Sequence, residues 1–180
     1  VAPGERSLRA ALRYCDGHLR RINGEANKAR GHTDSAQRDF TDAIVAFREA
    51  ADIRSNWPDP FLGLARTFIY GLEDVDRGAD ALKQAEKLGH HPGERETTQL
   101  ADGYRARAES FSRTAQTLKG MPQERDYLSR AADAFREALT RYGTVAGFGN
   151  VAQSLRDTQK RLERVEQRLA EISDGGFAWE

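Results

Sequence analysis

The stretch Trp57–Gly89, WPDPFLGLARTFIYGLEDVDRGADALKQAEKLG, decides how the rest of the chain is read. Asp59 stands where an N-cap carboxylate would accept a first-turn backbone N–H. Pro60 follows at a first helical position, where its missing N–H costs nothing. Phe61, Leu64, Ala65, Phe68 and Leu72 then recur at helical spacing as one apolar stripe. Glycine and acids between Gly71 and Asp76 interrupt it. Gly78, Ala79, Leu82, Ala85 and Leu88 make a second stripe, stopped by Gly89 and Pro92. Small residues on either side of Leu82 let two antiparallel helices approach closely.

Longer helical patterns flank this pair. From Arg6 to Arg30 the apolar positions Leu8, Leu12, Cys15, Leu19, Ile22, Ala26 and Ala29 alternate by four and three. Gly17 and Gly24 lie inside that helix, each costing about 1 kcal/mol against alanine. Gly31-His32 ends it, Thr33 or Asp34 caps the next, and Phe40, Ala43, Ile44, Phe47, Ala50 and Ile53 form its stripe. After the loop His90–Gly93, one helix runs to about Lys119 with Leu100, Ala101, Tyr104, Ala108, Phe111, Ala115 and Leu118. Its partner holds Leu128, Ala131, Phe135, Ala138, Leu139 and Tyr142 and stops at Gly143. The pentapeptide AFREA occurs at Ala46–Ala50 and again at Ala134–Ala138, in the same helical phase. Small–large–small triplets align at Ala43/Phe47/Ala50, Gly78/Leu82/Ala85 and Ala131/Phe135/Ala138. The first two stand 35 residues apart and the last two 53.

On these residues the chain resembles a tetratricopeptide repeat (TPR) protein. Phe61, Leu64, Ala65 and Phe68 match the first helix of the family pattern. Gly78, Leu82 and Ala85 match the second, with one extra residue in the turn and the proline late, at Pro92. The resemblance implies three repeat-like hairpins with lengthened outer pairs: residues 6–56, 57–92 and 93–143. The fold class expected is all-α, a right-handed superhelical array of antiparallel helix pairs with a C-terminal capping helix at 144–172, the whole of 1–180 forming one domain. In that last helix Phe148, Val151, Leu155, Thr158, Leu162, Val165, Leu169 and Ile172 step strictly by three and four. It is read as the cap. The alternative is a homotypic coiled coil, with Arg161 reaching Glu166 of a parallel neighbour. Residues 173–180, with Phe177 and Trp179, are expected to be a flexible tail.

Composition agrees with helices: alanine and arginine are the commonest residues and β-branched residues are sparse. The 28 basic and 28 acidic residues balance, so no overall field draws nucleic acid or anionic lipid, though a local basic face remains open. No apolar run approaches the roughly 20 residues of a membrane span. The only methionine is Met121, and Val1–Glu5 reads as a linker remnant, so the segment is expected to lack its native N-terminus. Arginine outnumbers lysine, suggesting a bacterial source, with cytoplasm or periplasm equally open.

Signals for chemistry are weak. A single cysteine, Cys15, excludes an internal disulfide and is read as core, since cysteine buries readily. With His18 it makes only two ligands on one helix, too few for zinc. His90-His91 fall in a loop, and adjacent side chains diverge. Gly147-Phe148-Gly149 has no third glycine and no preceding strand, so it reads as a helix entry. No nucleophile finds a base and an orienter in helical register. The expectation is therefore a non-enzymatic scaffold without catalytic residues, metal or cofactor. By resemblance its ligand contacts come from first-helix residues facing away from the partner helix, lining a concave groove. Those are Leu62, Arg66, Ile69 and Tyr70 in the central unit, and Arg95, Thr98, Asp102 and Arg105 in the third. Arginines there could meet a carboxylate with forked donors and Tyr70 supplies apolar area; the lysine–asparagine clamp of one family subtype is missing. The partner expected is another protein or peptide. The alternative is a structural module that dimerises through the last helix.

Overall fold

In the computed structural model, the described residues are 3–174. They form α1 (Pro3–Ala29), α2 (Thr33–Ile53), α3 (Asp59–Arg66) running into a π turn (Thr67–Gly71), α4 (Val75–Lys87), α5 (Glu94–Thr117), α6 (Glu124–Thr144) and α7 (Val151–Asp174). No strand occurs among the described residues; the chain is all-α, with helix packing of the kind found in helical repeats. It divides into two compact units, 1–93 and 94–180. The expected tail with Phe177 and Trp179 lies outside the described residues.

In the first unit α1 packs on α2, α2 on α3, and α3 with its π turn on α4. Two phenylalanine rings of α2 organise it. Phe47 is fully buried, and a Cβ added at Gly17 of α1 or at Gly63 of α3 would lie 2.7 or 2.5 Å from its ring. Phe40 is held likewise between Gly24 of α1 and Gly71 of the π turn, at 2.6 and 2.8 Å. Each ring therefore sits between two glycines of different helices. Gly17 and Gly24, read from the sequence as a cost to the helix, are the seats that let α1 close on α2. Gly78 does the same for Ile69: a Cβ there would meet Ile69 Cγ1 at 2.4 Å. Ala43, Gly78 and Ala131, the first members of the three small–large–small triplets, all point inward.

Those glycines turn α1 around relative to expectation. Ala10, Gly17 and Gly24, seven residues apart, are its buried positions, joined by Arg21. The stripe of Leu8, Leu12, Cys15, Leu19 and Ile22 faces outward instead. Cys15 is accordingly exposed and not core. Capping also departs from expectation. His32 and Pro58 occupy the N-cap positions of α2 and α3 without a side-chain bond, so neither Thr33, Asp34 nor Asp59 caps. The carboxylate that does cap is Asp74, which accepts the Arg77 N–H at 3.0 Å and starts α4.

The π turn absorbs one more residue than an α-turn. Its closing bond runs from Leu72 N–H to Thr67 O at 3.2 Å. Lys28, in the last turn of α1, donates its ammonium to the Tyr70 and Gly71 carbonyls at 3.0 and 3.2 Å and to the Glu73 carboxylate at 2.9 Å. Two end carbonyls thus gain a donor, and Glu73, at φ +55°, is tied down.

The second unit repeats this logic with alanines. Ala101, Ala108 and Ala115 of α5 are buried every seventh residue, as are Leu128, Phe135 and Tyr142 of α6. α7 lies on α6, its seam packed inward through Val151, Leu155, Leu162, Val165, Leu169 and Ile172. The Thr158 hydroxyl in that seam is buried and donates to the Ser154 carbonyl at 2.7 Å, so the polar residue is satisfied within its own helix.

Candidate functional site

Within the second unit α5 and α7 both pack on α6 and scarcely touch each other. The space left between them is a cleft of about 580 Å³. Its floor is apolar: Ala115 of α5, Leu128 and Phe135 of α6, and Val165 of α7. Its walls carry Arg113 and Lys119 from one side and Arg161, Arg164 and Arg168 from the other, against two carboxylates, Glu109 and Glu124. Five cations and two anions leave three positive charges on a chain whose total charge is zero.

Both carboxylates are committed. Glu124 is buried and accepts from Arg168 at 2.7 and 3.1 Å and from the Gly120 N–H at 2.7 Å. The hydrogen bond from Arg168 holds its carboxyl below the usual carboxylate range, against the opposing effect of burial. The Arg168 guanidinium is shifted upward, chiefly by its hydrogen bond to Glu124. Glu109 stands 3.6 Å from Arg161 and 3.8 Å from Arg105. Arg113 and Arg164 make no ion pair among the described residues and leave the rim positive. An apolar floor under a cationic rim suits a ligand with apolar side chains on one face and carboxylates beside them.

The residues expected from sequence to meet a ligand fall in two sets, one in each unit. In the first unit, Leu62, Arg66 and Tyr70 are half-buried. Arg66 lies 3.8 Å from Glu25 and stacks over the Tyr70 ring at 5.6 Å. Ile69 is 1% exposed, its side chain closed over Gly78. In the second unit Arg95 is exposed and the Thr98 hydroxyl donates to the Glu94 carbonyl at 2.7 Å. Asp102 accepts the phenol of Tyr142 at 2.5 Å. Burial pushes that phenol upward, helped by the hydrogen bond to Asp102. None of the eight lines the cleft.

Sequence reading missed the cleft because its charges are scattered through α5, the turn after it, α6 and α7, where each cation resembles an ordinary solvated arginine or lysine. Its one local signal was Glu124, a carboxylate at the helix start followed by the apolar series of α6. Among the described residues no group of three histidine, cysteine or acidic side chains is placed to hold a metal. No helix of these residues is long and apolar enough to cross a membrane. Compared with protein-family models, curated proteins and solved structures, the chain matches none.

Proposed function

We propose that the chain is a non-enzymatic interaction module of tetratricopeptide-like helical hairpins that takes a peptide or helix from another protein. The observation that carries this reading is the cleft between α5 and α7, with its apolar floor and the rim arginines Arg113 and Arg164. The family reading draws on the three small–large–small triplets, whose members are all buried. The occupant is an amphipathic segment with acidic residues flanking its apolar face. Lining residues on α5 run from Glu109 to Gln116, a rise of about 10 Å, which accommodates about two turns of a helix.

Fluorescence anisotropy with acidic amphipathic helical peptides tests it. Binding should weaken with added salt and fall at least tenfold in Arg113→Glu/Arg164→Glu, with the helical circular dichroism unchanged. Binding that is equal for acidic and basic versions of one peptide would remove the cleft from consideration. Dimerisation through α7 draws no support, because its seam is packed against α6. Arg161 and Glu166 face Glu109 and Arg136 of their own unit.

A further inference from the structure

The two walls of the cleft are in register. Ala101 of α5 shares a core cluster with Leu155 of α7, and Ala108 and Ala115 share the next with Leu162 and Leu169. α5 and α7 therefore run the same way along α6 and advance together, seven residues at a time. The Glu109–Arg161 pair, at 3.6 Å, ties them at one level. At the other end Glu124 holds Arg168, and Lys119 lies close enough for its charge to act on the same carboxyl. Among the described residues no lining carboxylate falls between those two levels. Arg113 stands four residues beyond Glu109 and Arg164 three beyond Arg161, rises of about 6 and about 4.5 Å. These two arginines, which make no ion pair among the described residues, thus share one level on opposite walls above the apolar floor.

That placement sets the spacing of charge on whatever enters. We infer that the occupant is an α-helix bearing the pattern apolar–acid–x–acid–apolar, with one carboxylate reaching Arg113 and the other Arg164. Residues two apart on a helix lie about 200° around its axis and about 3 Å along it. Acids at those places fall on opposite flanks of the apolar stripe at nearly one height, as the two arginines require. Each guanidinium can take its carboxylate through two parallel N–H donors, which makes the contact directional. In an extended strand the same residues alternate, and both acids turn away from the apolar pair, so the pattern selects a helix. It presupposes that the cleft is a peptide site, and adds to that reading the recognition sequence of the partner.

Two isomeric peptides, titrated against the intact chain by fluorescence anisotropy, test it. Each sets eight residues in the same alanine-rich helical frame. Leu-Glu-Gln-Glu-Leu-Ala-Ala-Leu carries its acids on opposite flanks, and Leu-Glu-Gln-Ala-Leu-Glu-Ala-Leu carries both on one. Composition, charge and apolar stripe are identical. The first should bind about tenfold more tightly. Changing either of its glutamates to glutamine should cost most of that preference. Arg113→Gln should make one of those two changes silent, and Arg164→Gln the other. Equal binding of the isomers, or both glutamates coupled to the same arginine, would overturn the pattern and leave the cleft as a general site for acidic helices. If neither isomer binds while other acidic helices do, the pattern is equally wrong; if no acidic helix binds, the peptide site falls with it.

Discussion

α1 and α7 carry the same kind of stripe, apolar residues alternating by three and four over about six turns. The stripe of α7 packs against α6, while that of α1 faces outward. What separates them is the opposite side of each helix. Behind the seam of α7, at every seventh place, stand Gln153, Lys160 and Gln167, all exposed. Behind the seam of α1 stand Ala10, Gly17 and Gly24, all buried. A neighbouring helix with two large rings needs small seats more than it needs leucines, because a ring buried against a flat backbone excludes water and leaves no void. Large apolar residues show where a helix could be covered. Regularly spaced small ones show where it is.

The sharpest way to break this comparison is to place a charge in each seam. Leu162→Asp puts an unpaired carboxylate into the core of the second unit and should cost upwards of about 4 kcal/mol, read as loss of α7 packing in denaturant melts. If it costs less than about 1 kcal/mol, the seam of α7 is not the buried one. The seats of α1 come next. Gly17→Ala gains about 1 kcal/mol of helix propensity but drives a methyl into Phe47, a loss of about 1–3 kcal/mol. A net destabilisation of roughly 1 kcal/mol is expected, partly relieved by Phe47→Leu in the same chain. Stabilisation by Gly17→Ala alone would show that the ring has room.

Acid probes the anchor at the far end of α7. The Glu124 carboxyl is held below its ordinary value, so its pairing with Arg168 stabilises the fold above the unfolded-state pKa of about 4.3. That stability disappears as pH falls through the lower folded-state value. Glu124→Gln should be less stable than the parent at neutral pH, and the two melting curves should converge in acid; curves that stay parallel would deny the pair its role. The smallest effect belongs to Leu19→Asp, expected within about 0.5 kcal/mol at a dilute chain concentration, since that side chain is already in water.

Helices were legible in the sequence because three-and-four spacing, glycine stops and the AFREA echo all agree. The inward direction of Ala43, Gly78 and Ala131 was legible too, through the small–large–small triplets. The facing of α1 was not: its leucines and its glycines each define a consistent stripe, and only the rings of α2 choose between them. Ile69 was misplaced because the π turn adds a residue after Thr67 and rotates the succeeding side chains around the axis, which no α-helical wheel anticipates. The cleft was illegible for another reason. Arg113 and Arg164 are 51 positions apart, and spacing along one helix carries no information about a charge on another.

The doubly clamped rings of α2 have a consequence for how the first unit comes apart. In a simple solenoid each hairpin contacts only its neighbours, and a terminal hairpin can fray ahead of the rest. Here Phe47 and Phe40 are closed on one side by α1 and on the other by α3 and the π turn, so removing either neighbour strips both aromatic side chains at once. Amide exchange through α1, α2 and α3 should then report a single opening event, with no hairpin released ahead of the others.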